Sequence, residues 1–147
     1  MKVLSFLQDT GPDHRGRYLS DIWKFNDQQM ETTHDYIQWV FPLDEPSSAS
    51  ADAPVLEPGE IALIHKSSLA AHNLNASVNW FIAFLTRNDQ WRTAHDHNHL
   101  RITRMIKSQR LLHSEMAANA TRDKILKLAE SSKAQISETA LDYWRNA

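Results

Sequence analysis

The residues best suited to chemistry lie in one run, His95-Asp96-His97-Asn98-His99, followed at once by Arg101, Arg104 and Ser108. Neutral imidazole ligates zinc, copper or nickel through a ring nitrogen, and two or three converging rings make a site. A spacing of two places side chains on one face of a strand, whereas on a helix only His95 and His99 align. The run reads as a loop entering a helix, which scatters the rings. His95, His97 and His99 are therefore the metal ligands of an alternative, enzymatic reading. In the plainer reading His97 or Asn98 satisfies backbone amides left open at the helix entrance.

Arg101 and Arg104 fall in the first two turns of that helix, where the macrodipole disfavours cations. They need a carboxylate or a bound anion, and Ser108 lies one turn beyond Arg104 on the same side. An internal ion pair with Asp35, Asp44 or Glu45 is the favoured expectation, because neighbouring arginines at core edges usually hold structure together, and no phosphate-binding glycine loop accompanies them. His34 and Asp35 suggest acid–base work, but adjacent helix residues point about 100° apart and cannot easily share a partner. Neither a nucleophile elbow nor a zinc-protease motif is present. The chain reads as a non-enzyme needing no cofactor.

The elements that position these residues read as helices. Met30, His34, Ile37 and Phe41 recur at helical spacing, Asn26 with Gln29 resembles a capping box, and Pro42 stops the pattern. One central helix over about 27 to 40 follows. Residues 1 to 17 look extended around the turn Gly11-Pro12-Asp13, and Leu19, Ile22 and Trp23 mark a short helix. Prolines 42, 46, 54 and 58 enclose a surface loop, and Pro58 opens a short helix carrying Ile61, Ile64 and His65. Ser67 or Ser68 caps the next, whose Leu74, Val78, Phe81, Ile82 and Leu85 form a buried face to about residue 86. Asp96 or Asn98 caps a helix over 98 to 112. Met116, Ala120, Ile125, Leu126 and Ala129 suggest another, and Ser137 caps a last one carrying Leu141 and Trp144 inward. The result is an all-α fold, a single irregular multi-helix domain over 1–147 with about seven helices.

Bulk composition agrees. The chain has 41% hydrophobic and 23% charged residues with only three glycines, which suits a helical globule of 147 residues. A net charge of −2 gives no global drive toward nucleic acid. The basic residues Arg101, Arg104, Lys107 and Arg110, and later Arg122, Lys124, Lys127 and Lys133, read as solvated helix faces. Zero cysteines fit a reducing, cytoplasmic setting. The longest apolar run, Trp80 to Leu85, falls far short of the roughly 18 residues of a membrane span, so the chain reads as soluble. Of the five tryptophans, Trp23, Trp39 and Trp144 fall at core positions, while Trp91 sits in a loop and is the expected exposed anchor.

Two blocks carry a family resemblance. His34-Asp35-Tyr36-Ile37-Gln38-Trp39, then Phe41-Pro42-Leu43 and Glu45-Pro46-Ser47, resemble the signature of the opioid growth factor receptor conserved domain. A second match runs from His97 to Ser108. Phe6, Gly11-Pro12-Asp13 and Arg15-Gly16-Arg17 resemble the family's entry, and the likeness spans roughly residues 6 to 146. The pattern is similar to short bacterial members, although His113 stands where they usually carry glycine, a residue suited to a left-handed helix stop. The resemblance implies a receptor-like, non-enzymatic binding domain for a peptide or protein, and its binding residues do not transfer. The expected groove lies near the two blocks, with Trp91, His97, Asn98, Arg101, Arg104 and Ser108 as ligand-binding candidates.

Overall fold

The computed structural model describes residues 1–131 and 135–147; Lys133 lies outside the described residues. Among the described residues there are nine helices, and the only β-pairing is an isolated parallel bridge between Leu43 and Val55. The all-α expectation holds. The chain divides into two compact units, Met1–Ser77 and Val78–Ala147.

The first unit opens with α1 (Lys2–Leu7), where the sequence reading expected extended chain. Val3, Phe6 and Leu7 already carry the helical spacing, and all three are buried. Six residues make a marginal helix on their own. Its open N-terminal amides are satisfied from elsewhere: Val3 and Leu4 both donate to the Glu60 carboxylate, at 3.1 and 3.0 Å. Asn73 Nδ2 donates to the Leu7 carbonyl at 2.8 Å. Asp9 then takes a positive φ of 60° and its carboxylate accepts from the Ser20 amide and hydroxyl. After α2 (Leu19–Ile22), Trp23 Nε1 donates to Ser77 at 2.9 Å.

The expected helix over 27 to 40 is two short ones, α3 (Asp27–Thr32) and α4 (Ile37–Val40). The Asn26/Gln29 capping box is present, with reciprocal bonds of 2.8 and 2.9 Å. Thr33, at φ −92° and ψ 126°, ends α3. Two consecutive β-branched threonines weaken the helix there. The break leaves carbonyls open, and the buried Tyr36 hydroxyl donates to the Met30 carbonyl at 2.6 Å. His34 is exposed in the gap, so it does not share the apolar face of Met30, Ile37 and Phe41. Pro42 stops α4 as expected.

The loop that follows is closed at its base by Leu56 N–H donating to the Leu43 carbonyl at 2.9 Å. Pro58 opens α5 (Pro58–His65), and α1 packs against both α4 and α5. Ser67 caps α6 (Ser68–Arg87) through the Ala70 amide.

The second unit takes the C-terminal half of α6, where Val78, Phe81, Ile82, Phe84 and Leu85 are buried. It continues with α7 (Asn98–Leu112), α8 (Glu115–Ser131) and α9 (Glu138–Asn146), which pack on one another. The α7 bounds match the sequence expectation. His113 is not left-handed, at φ −123° and ψ −82°. The Gln109 carbonyl accepts from both His113 and Ser114, and Ser114 then caps α8 through the Ala117 amide at 3.1 Å. That turn closes without glycine. The inward stripe of α8 is Ala118, Thr121, Ile125 and Ala129, whereas Met116 is 83% exposed and Ala120 is exposed too. Hydrophobicity picked the wrong side at the start of α8, because the buried positions there are small residues.

Candidate functional site

A cleft of about 250 Å³ lies within the second unit, between the start of α7 and α9. The loop before α7 contributes His95 and Asp96; α7 contributes His99, Leu100 and Thr103; Ser137, Thr139, Ala140, Tyr143 and Trp144 close the other side. Local capping fixes these positions. Asp96 accepts from the Asn98 amide at 3.0 Å, placing a carboxylate at the positive end of α7. Ser137 accepts from the Ala140 amide at 3.2 Å and starts α9. Of the three residues offered for the α7 entrance, His97 stands at the cap position without a side-chain cap bond, and Asp96 supplies the side-chain acceptor.

Aromatic packing builds the floor. His99 Nε2 lies 2.7 Å from the Trp91 carbonyl. A carbonyl only accepts, so Nε2 carries the hydrogen in this contact. The His99 carbonyl accepts from Trp144 Nε1 at 3.2 Å, and the two rings meet edge to face at 5.4 Å and 86°. Beneath them Trp91 is only 1% exposed, 6.1 Å from the Trp144 ring, with Nε1 donating to the Leu85 carbonyl at 2.8 Å. Arg92 covers its face at 4.8 Å and donates to the Leu128 carbonyl near the end of α8. Trp91 is thus a buried support, not the exposed anchor expected. Loop position misled, because the indole N–H has an acceptor and the whole ring can be buried.

The nominated residues separate into two groups. His95 and His99 line the cleft, while His97 is exposed and Asn98, Arg101, Arg104 and Ser108 are not among its lining residues. Among the described residues, His95, His97 and His99 do not together form a group able to share a metal ion. Asn98 is 1% exposed, and its side-chain Oδ1 accepts from Arg101 Nη1 at 3.3 Å; Arg101 is 6% exposed and Ser108 fully buried. Arg110, at the far end of α7, donates to the Ala147 carbonyl and pairs with Glu115. Sequence reasoning missed Leu100 and Tyr143, which are 65% and 60% exposed on the rim. Their signal was legible: each is a large apolar side chain beside, and not on, the buried face of its helix.

A charged cluster marks the first unit. Asp13, with a fully inaccessible side chain, accepts from the amides of Arg15 and Arg17 at 2.8 and 2.9 Å and from Arg17 Nε at 2.7 Å. Gly16, at φ 77°, lets the loop turn tightly enough for this. Arg17 and Arg15 both reach Asp35 at 3.0 Å, and His14 Nε2 lies 3.3 Å from it. Asp35 was one of three acceptors offered for Arg101 or Arg104, with Asp44 and Glu45; its own partners come from the entry loop. Burial pushes the Asp35 carboxyl up, but the Arg17 bond and charge, the Arg15 bond and His14 outweigh it and hold the group below the usual carboxylate range. His14 stacks on Trp39 at 5.8 Å and 4°, and Phe6 meets the same ring edge-on. Trp39 Nε1 is buried with no acceptor among the described residues. Two guanidinium groups against two carboxylates leave no net charge for a ligand, so this cluster is a clamp between residues 13–17 and 35–39.

The model of the opioid growth factor receptor (OGFr) conserved region matches residues 12–90. Among curated proteins, the opioid growth factor receptor of Rattus norvegicus is 32% identical over 114 residues, covering 63% of this chain and 20% of its own length. The opioid growth factor receptor-like protein 1 of Rattus norvegicus is 29% identical over 160 residues, covering 88% of this chain and 32% of its own, and that of Mus musculus is 29% identical over 155 residues. The chain therefore spans about a third or less of the length of these relatives. No solved structure matches. The matched residues include the clamp and the first signature block, whereas the second block and the cleft lie beyond residue 90.

Proposed function

Because this chain belongs to the family of the opioid growth factor receptor conserved region, we propose that it is a non-enzymatic domain that binds a peptide or protein segment through the cleft of its second unit. The observation that carries this reading is the pairing of a rigid aromatic floor with two exposed apolar rim residues, Leu100 and Tyr143. Exposed aromatic and aliphatic side chains around a concave site are what anchor peptide recognition. The volume of about 250 Å³ is below the ~300–1,000 Å³ usual for small-molecule pockets and suits one or two inserted side chains. His95, His99, Leu100 and Tyr143 make the contacts, the buried Trp144 and Trp91 support them from beneath, and Asn98 and Arg101 brace the first turn of α7.

Among the described residues no helix is long and apolar enough to cross a membrane. The lack of cysteine supports an intracellular setting. The continuity of α6 from Ser68 to Arg87, through both units, supports one cooperative domain. The binding reading is tested by selecting phage-displayed random dodecapeptides on the intact chain, then measuring the enriched peptides against a Leu100→Ser, Tyr143→Ser variant. Saturable binding that weakens at least tenfold in the variant is expected. Enriched peptides that bind the variant equally well remove the cleft from the assignment, and an empty selection removes peptide binding itself.

A further inference from the structure

Resting on that reading, we infer that the cleft selects a cationic side chain, lysine or arginine, set beside an apolar one. Among the described lining residues, Asp96 is the one group with a full formal charge at neutral pH when the histidines are neutral. Its side chain is 15% exposed, and its described contacts use little of its capacity. One oxygen accepts the Asn98 amide at 3.0 Å, while the other is 3.9 Å from His97 Nδ1, beyond hydrogen-bond range. A carboxylate accepts about four hydrogen bonds, so room remains for an ammonium or guanidinium donor.

The rest of the wall points the same way. The His99 Nε2–H is already committed to the Trp91 carbonyl, so that donor is not offered to an incoming group. The Ser137 hydroxyl accepts from a backbone amide but keeps lone-pair capacity. An anionic ligand would meet a carboxylate with no cation among the described lining residues to offset it, whereas a cation gains a charge-assisted bond. The neighbouring apolar side chain of the ligand covers Leu100 and Tyr143, and the Tyr143 ring offers a face to the cation as well.

The test uses the peptides enriched by the intact chain. A consensus with lysine or arginine within two positions of a leucine, methionine or aromatic residue is expected. Asp96→Asn keeps an oxygen able to cap the Asn98 amide, so the helix start survives while the charge goes. That variant should bind the consensus peptide about tenfold more weakly, and its residual binding should lose the salt dependence of the wild-type complex. An acidic or uncharged consensus, or binding unchanged in Asp96→Asn, overturns the cation preference while leaving peptide binding in place. An empty selection overturns both.

Discussion

The two units solve the same problem, holding their helices together, by different means. The second unit relies on long helices whose apolar stripes meet, and its buried indoles Trp91 and Trp144 both donate to backbone carbonyls. The first unit has only short helices before α6 and joins them through side chains that reach across loops. Glu60 caps α1, Tyr36 seals the end of α3, and Asp13 with Asp35 ties the entry loop to the segment before α4. The unit held by polar clamps is legible as motifs, and the unit held by packing is legible as periodicity. The cleft sits in the second, where rigid neighbours can hold a floor in shape.

That contrast can be broken from either side. Trp144→Ala should give the largest effect, about 4 kcal/mol in denaturant unfolding, since it empties a fully buried indole site. If the chain is one cooperative domain, hydrogen exchange should show residues 1–77 losing protection in step; retained protection there would mean two independently folding units. Asp13→Ala should cost about 3 kcal/mol, because it leaves two amides and the Arg17 guanidinium without their buried acceptor. A cost near zero would show that the clamp is not what holds the first unit. The smallest effect concerns acid. The folded Asp35 carboxyl is depressed, so its contribution is present above the ordinary value near 4 and is lost as pH falls through the folded value. Unfolding followed from pH 5 to pH 2 should show this decline in the wild type and a shallower one in Asp35→Asn; parallel curves would contradict it.

Much of the helical plan was legible in the sequence because α6 and α7 are long and periodic and their caps are ordinary serine and aspartate chemistry. The failures have physical reasons. α1 was missed because its stabilising partner, Glu60, lies far along the chain. The break between α3 and α4 was missed because an apolar spacing continued across it, while Tyr36 supplied a tertiary bond that spacing cannot show. In the site, the histidine run did mark the cleft, yet Arg101 and Ser108 turned out to be buried structure. Trp91 was misjudged because a loop residue can still be core. Leu100 and Tyr143 went unremarked because attention to buried stripes passes over apolar residues that fall outside them.

The loop between Leu43 and Leu56 carries one further consequence. Its ends are tied together by the Leu43–Val55 bridge and the Leu56 to Leu43 hydrogen bond, and residues 44–46 at its start are exposed. Once the base is closed, lengthening such a loop costs only about 0.6 kcal/mol for each doubling. A peptide tag or a fluorescent label inserted there would therefore ride on the molecule with its fold intact, giving a handle within the first unit for watching what the cleft in the second unit takes up.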